Sequence, residues 1–407
     1  MRRRRKERGR RNFNGDLCAR RMAKNMDFNK IIERRDTYSI KYDPVSRGKP
    51  DDVLPMWVAD MDFAAPACVT AALARLAEHG IFGYSEPDAA YFDIVRGWFS
   101  RRHNWRVRRE WLVTAPGVVT AIYVAIRALT RRGDGVLIQQ PVYYPFESAV
   151  HDTGRELLVN ELIYDTNARR YVIDFDDFEE KARHAKLFVL CSPHNPVGRV
   201  WTRDELTRMG EICLRHNVAV IADEIWQDLV FPGGTHHVFA EISPELNVIT
   251  ATAPSKTFNL AGLNHANIFI PNEATRKKFL REYAAIGLSQ PNLAGLTACK
   301  AAYQHGEPWL AGLIEHLDGN MRVLHDSLRE NAPQIRFTPP EATYLAWLDF
   351  SAFERSRAEI NATLENGAKL WLSDGATFGA GGAGFWRLNA ACPREILQDA
   401  IARLATV

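Results

Sequence analysis

No two cysteines in this sequence form a CxxC pair. The six, at positions 18, 68, 191, 213, 299 and 392, are scattered, so neither a disulfide framework nor a zinc site is suggested, and reduced, partly buried thiols are the expectation. No apolar run approaches the roughly 20 residues a helix needs to cross a bilayer. The first residues also lack the apolar stretch of a secretory signal; no membrane partner and a cytoplasmic location are expected. There is no HExxH pattern, and the adjacent pair His236-His237 reads as a loop, so no metal is expected. Internal repeats are absent.

A basic surplus is also missing from most of the chain. The formal charge is +3, yet residues 1–25 hold eleven Lys or Arg against two acids, a surplus of nine, which leaves about −6 on the rest. That tail, with its run Arg2-Arg3-Arg4-Arg5-Lys6, has no hydrophobic period and is expected to be disordered. One reading makes it a nucleic-acid-binding arm. A basic run alone carries little specificity, and the reading adopted is an upstream translation ahead of a start at Met22 or Met26, with no nucleic-acid partner.

What is present is 407 residues, more than one hydrophobic core usually serves, so two domains are expected. Ala65-Pro66 opens a helix with Val69, Leu73 and Leu76 on one face and Gly80 closing it. Short apolar strands then alternate with helical stretches: Val136-Leu137-Ile138, Glu156-Leu157-Leu158-Val159, Leu187-Phe188-Val189-Leu190, Val218-Ala219-Val220-Ile221-Ala222, Val248-Ile249-Thr250 and His265-Ala266-Asn267-Ile268-Phe269-Ile270. Alternation of this kind predicts an α/β fold with a mainly parallel sheet covered on both faces. Beyond about residue 300 the pattern changes to long helices, with Trp309, Leu313, Leu317 and Met321 down one face, and shorter strands around residues 342–348 and 385–388. The expected division is a large domain over 59–305 and a small domain built from 26–58 and 306–407. The glycine-rich run 379–384 reads as a tight approach to the strand carrying Arg387 rather than a phosphate loop, since no helix follows it.

Three polar residues stand at or just beyond the ends of three of the apolar strands: Asn195, Asp223 and Lys256. Open α/β sheets place their ligands there. A lysine amine forms a Schiff base with an aldehyde, a carboxylate holds a pyridine nitrogen protonated, and an amide hydrogen-bonds a phenolate oxygen, so together the three describe a pyridoxal phosphate site. Singly, each has an ordinary explanation as a solvated charge, a loop cap or an Asn-Pro turn. Gly117 opens a helix in Ala115-Pro116-Gly117-Val118-Val119-Thr120, where backbone amides and the helix dipole face an anion. Arg387 offers a guanidinium fork suited to a carboxylate, with a surface ion pair as the alternative.

The runs Ser192-Pro193-His194-Asn195-Pro196-Val197-Gly198-Arg199, Ala222-Asp223-Glu224-Ile225 and Ser255-Lys256 resemble the successive signatures of the class I/II aminotransferases, fold type I pyridoxal-phosphate enzymes, and the likeness spans nearly everything after residue 26. Leu54-Pro55-Met56-Trp57-Val58-Ala59-Asp60-Met61-Asp62-Phe63, Phe82-Gly83-Tyr84, Ser255-Lys256-Thr257-Phe258-Asn259-Leu260-Ala261-Gly262-Leu263 and Arg387-Leu388-Asn389 with Cys392-Pro393 resemble the MalY/PatB-type cystathionine β-lyase branch. The resemblance implies a seven-stranded large-domain sheet, a smaller α/β C-terminal domain, and a homodimer with a shared active site. It further implies that Tyr143 stacks on the pyridine ring, with Tyr144 a near alternative, that the amides of Val118 and Val119 and the hydroxyl of Ser255 hold the phosphate, and that Tyr84 reaches the phosphate of the neighbouring subunit. Two positions depart from it. Trp226 stands three residues after the aspartate, where aminotransferases often place tyrosine and this branch histidine, beside the ring oxygen. Asn264 stands where many aminotransferases have a phosphate-binding arginine. The implied activity is carbon–sulfur β-elimination from an S-substituted cysteine, with aminotransfer and a regulatory binding role as alternatives.

Overall fold

The computed structural model describes residues 26–407; the basic tail 1–25 lies outside the described residues. Seven strands form the large sheet: β1 Leu112–Ala115, β2 Gly135–Gln140, β3 Glu156–Glu161, β4 Ala185–Cys191, β5 Ala219–Asp223, β6 Val248–Thr252 and β7 Ala266–Phe269. Their spatial order is β1-β7-β6-β5-β4-β2-β3. Neighbours pair in parallel from β6 through to β3, and β7 runs antiparallel to both β1 and β6. The strands are apolar on both faces because helices cover both: Val136, Leu137 and Ile138 are all fully buried. Val136 and Ile138 pack on one side among residues of the helix Val118–Leu129, while Leu137 faces the other with Phe178, Trp201 and Leu206.

The second sheet has four strands, β8 Arg336–Phe337, β9 Leu345–Asp349, β10 Ser373–Asp374 and β11 Phe385–Asn389, in the order β8-β9-β11-β10, all antiparallel. Arg387 is therefore on an inner strand, opposite Trp347 on one side and Ser373 on the other. The helix Glu307–Asn331 buries Trp309, Leu313, Leu317 and Met321, the face read from the sequence. The N-terminal segment joins this part of the chain through a short parallel pairing of Leu54 and Pro55 with Leu370 and Trp371.

The glycine-rich run is a place of close backbone approach. A Cβ on Gly382 would lie 2.1 Å from the carbonyl oxygen of Gly375, and one on Gly379, whose φ is +114°, would lie 2.4 Å from the side chain of Gln140. The run is thereby pressed against the end of β2, and the amide of Val142 donates to the carbonyl of Phe378. This contact ties the segment carrying Tyr143 to the segment leading into the Arg387 strand.

Candidate active site

Strand geometry brings the predicted residues together. Asp223 is the last residue of β5, Asn195 lies four residues beyond β4, and Lys256 lies in the short helix Pro254–Thr257 that follows β6. Because β4, β5 and β6 are parallel neighbours, all three side chains are at one end of the sheet. Asp223 and Asn195 are buried. Across from them, Arg387 is 5 % exposed and donates from Nη1 to Asn195 Oδ1 at 3.0 Å, and from Nη2 to the Trp57 carbonyl at 2.9 Å and to Ser373 Oγ at 3.3 Å. Its guanidinium carbon is 4.8 Å from the centre of the Phe378 ring.

The electrostatics are those of a buried site. Burial pushes the Asp223 carboxyl up to about 7, against the lowering effect of the Ile225 amide and of Lys256. Burial, and then the nearby Arg387 cation, bring the Lys256 amine down to about 8, with Asp60 and Asp223 pulling the other way. Arg387 is lowered to about 10 by burial. Desolvation disfavours every charged form here. A protonated ring nitrogen set against Asp223 would reverse that penalty for the carboxylate. Asn195 has its oxygen taken by Arg387, which leaves its amide hydrogens for a phenolate oxygen. These are the donor and acceptor sets that pyridoxal phosphate requires.

The helix Val118–Leu129 begins without a side-chain cap. The amides of its first turn have no partner within the helix. Val118 and Val119 lie in that first turn, and Ser255 is partly buried next to Lys256 in the chain. Asn264 is exposed and adopts φ +46°. Tyr143 is partly buried, packs at 5.3 Å from Tyr144 and 6.2 Å from Phe146, and has its hydroxyl pushed up to about 12 by burial first, with Arg387 and Asp223 close enough to act on it. Tyr84 is 94 % exposed, in a run where Ile81 and Phe82 are exposed as well.

Trp226 is buried beside the lysine. The Lys256 ammonium nitrogen lies 5.4 Å from the centre of the indole ring, and the indole meets Tyr344 edge-to-face at 4.8 Å.

The sequence reading missed the contribution of the strap Trp57-Val58-Ala59-Asp60-Met61-Asp62. Lys256 Nζ donates to the Ala59 carbonyl at 2.6 Å, and Tyr344 Oη donates to the same oxygen at 2.8 Å. Asn389 holds the carbonyls of Val58 and Asp60, and Asn259 holds both the amide and the carbonyl of Met61. Behind the strap, Asp62 binds the fully buried Lys41 and also Arg34, each at 2.6 Å, and Arg34 reaches on to Asp60. The motif containing these residues was recognised; what it does was not, because its working groups are backbone carbonyls.

Also unanticipated was a grip on the residue after the lysine. Thr257 Oγ1 donates to Asp228 at 3.1 Å, and the same buried carboxylate takes the Trp98 indole at 3.3 Å and His103 Nε2 at 2.9 Å. Trp98 and His103 belong to the helix Ala89–His103, which the sequence reading passed over.

Comparison with known proteins agrees with this arrangement. Residues 51–404 match the family described as aminotransferase class I and II. The chain belongs to that family. It is 44 % identical over 384 residues to cystathionine beta-lyase PatB of Bacillus subtilis (strain 168), covering 93 % of this chain and 99 % of the relative. It is 34 % identical over 383 residues to protein MalY of Escherichia coli (strain K12), covering 93 % and 97 %. Among solved structures it is similar to cystalysin from Treponema denticola, which contains a pyridoxal 5′-phosphate cofactor, with a TM-score of 0.90, 36 % identity, and coverage of 93 % of this chain and 98 % of the other. The fold is that of the type I pyridoxal-phosphate enzymes.

Proposed function

We propose that this protein is a pyridoxal 5′-phosphate-dependent carbon–sulfur β-lyase that converts cystathionine or a related S-substituted cysteine to a thiol, pyruvate and ammonia. The observation that carries this reading is one buried lysine amine, bonded to the Ala59 carbonyl and near enough to Asp223 and Arg387 for both to act on its charge, in a chain 44 % identical to a cystathionine beta-lyase. When bound, the cofactor supplies an aldehyde for Lys256 and an electron-withdrawing ring that accepts the pair released as Cα loses its proton.

Each residue then has a task. Arg387 binds the substrate α-carboxylate through its fork and, bonded to Asn195, fixes that residue's amide toward the ring oxygen. Asp223 holds the ring nitrogen protonated. Tyr143 would pack against the ring, and Val118, Val119 and Ser255 would hold the phosphate. Trp226 closes the wall beside the lysine. Lys256 takes the Cα proton as general base, for which an amine brought down to about 8 is better suited than one at its usual value.

We assign residues 59–305 to the cofactor domain and 26–58 with 306–407 to the small domain, so that Arg387 approaches the substrate from the small-domain side. The working unit is a homodimer in which Tyr84 of the partner subunit completes the phosphate site. The exposed run Ile81, Phe82 and Tyr84 supports this, being apolar surface that a second copy would cover. Free, buried cysteines at 68, 191, 213, 299 and 392 support a reducing, cytoplasmic setting. The deciding experiment incubates pure protein with cystathionine, and separately with an amino donor and an oxo acid. Pyruvate and thiol release in the first is the expected result; sustained amino-group transfer in the second, without pyruvate in the first, would assign an aminotransferase instead.

A further inference from the structure

Lys256 has two neighbours suited to its charged form. The Ala59 carbonyl accepts from Nζ at 2.6 Å, and the Trp226 indole lies with its centre 5.4 Å from Nζ, within the range where a ring face attracts an ammonium ion. Both neighbours are fixed from behind. Tyr344 donates to the same Ala59 oxygen and meets the Trp226 ring edge-to-face. The strap carrying Ala59 is held by Asn389, Asn259 and the Asp62 ion pairs. The charged groups facing Nζ are Asp60 from the strap, Asp223 from β5 and Arg387 from β11. Arg387 opposes a second cation.

We propose that Trp226 and the Ala59 carbonyl form a receptor for the ammonium form of Lys256, which makes Trp226 a positioning residue for the lysine after it has taken the Cα proton. The inference rests on the lyase reading for its place in turnover. In the elimination the Cα–H bond breaks and its proton moves to Nζ. The electron pair ends in a Cα=Cβ bond as the C–S pair departs on sulfur, and the ammonium returns the proton to the sulfur, so the lysine is neutral again and the thiol leaves. Water then releases pyruvate and ammonia, with no net oxidation. The receptor acts in the interval when the lysine carries the proton beside Arg387. A histidine at position 226 could not serve in this way once protonated, since it would repel the ammonium.

The test separates the receptor from the reaction. Full-length protein stripped of cofactor is mixed with pyridoxal 5′-phosphate across pH, and the rate of capture by Lys256 is followed by absorbance. Only the neutral amine reacts, so the midpoint of the rate reports the lysine. Trp226→Leu is expected to lower that midpoint by about half a pH unit or more. Trp226→Phe, which keeps an aromatic face, should lower it by about half as much. A midpoint in Trp226→Leu within about 0.1 unit of the wild type, or above it, overturns the receptor. Should the leucine variant fail to fold, the phenylalanine variant decides on the same terms, and an unchanged midpoint there overturns it too. Parallel pyruvate assays keep the two ideas apart. A shifted midpoint in a protein that makes no pyruvate leaves the receptor standing and removes the lyase; an unshifted one in an active lyase does the reverse.

Discussion

The floor and the strap of the site are built on different principles. The floor consists of side chains placed by strand ends: Asn195 beyond β4, Asp223 ending β5 and Lys256 in the turn after β6. The strap, residues 57–62, presents main-chain oxygens, with Trp57 accepting from Arg387, Ala59 from Lys256 and Tyr344, and Val58 and Asp60 from Asn389. A floor residue supplies chemistry no other residue type can give. A strap position supplies a carbonyl that any residue has, and what is specific there is the set of buried polar side chains that fix the backbone. The floor is therefore sensitive to a change of the residue itself, and the strap to a change in its anchors.

That contrast predicts where the largest losses fall. Lys256→Ala should lower pyruvate formation from cystathionine by at least about a thousandfold while the protein remains folded, because one group carries both the covalent and the proton-transfer roles. A variant retaining a tenth of wild-type turnover would mean that the floor is not where the chemistry is. For the strap, the comparable change is Asp62→Asn. It leaves the fully buried Lys41 without its counter-charge and Arg34 with Asp60 alone. Breaking a buried pair from one side costs about 3–5 kcal/mol, so the denaturant midpoint should fall sharply. An unchanged midpoint would show that the strap is held by its hydrogen bonds to Asn389 and Asn259 and not by the ion pairs.

The floor also predicts a pH signature of stability in the cofactor-free protein. The folded pKa of Asp223 is raised from 3.8 to about 7, so between those values the folded state binds the proton that the unfolded state has released. Stability due to this group is greatest below about 4 and is lost as pH rises toward 7. Lys256, lowered from 10.5 to about 8, acts in a separate window: stability is greatest above about 10.5 and is lost as pH falls toward 8. Asp223→Asn should remove the first effect and, by taking away a charge that raises Lys256, deepen the second. Relative to this variant, wild type should lose on the order of a few kcal/mol between pH 4 and 7; parallel curves over that range would contradict the raised carboxyl.

Much of the floor was legible in the sequence, for a physical reason. A buried apolar strand ending in Asp or running into a Lys turn leaves a pattern of residue types, and the parallel order of β4, β5 and β6 follows from the alternation of strands and helices. The antiparallel β7 was not legible, since an apolar run carries no direction. The Asp228 grip was missed because two of its three donors, Trp98 and His103, come from a helix, Ala89–His103, that was not read from the sequence. The strap could be recognised by resemblance but not interpreted, because a carbonyl at position 59 leaves no mark in the residue type. Asn389 and Tyr344 were the available signals: a buried amide and a buried phenol each require partners, and here the partners are the strap.

The smallest test addresses the point where strap and floor meet. Tyr344→Phe keeps the ring against Trp226 and removes only the hydroxyl that donates to the Ala59 carbonyl. The oxygen keeps its bond from Lys256, so no acceptor is stranded, and the loss is that of one ordinary hydrogen bond, about 1 kcal/mol. If the hydroxyl aims the carbonyl at the lysine, the cost should appear in kcat as a few-fold fall, with KM for cystathionine little changed, because the hydroxyl makes no bond to Arg387, the proposed carboxylate site. If the hydroxyl merely stabilises the strap, the same loss should appear in the unfolding midpoint and leave kcat alone. Measuring both on one variant therefore determines whether the strap is part of the lysine's environment during turnover or only the backing that keeps the floor covered.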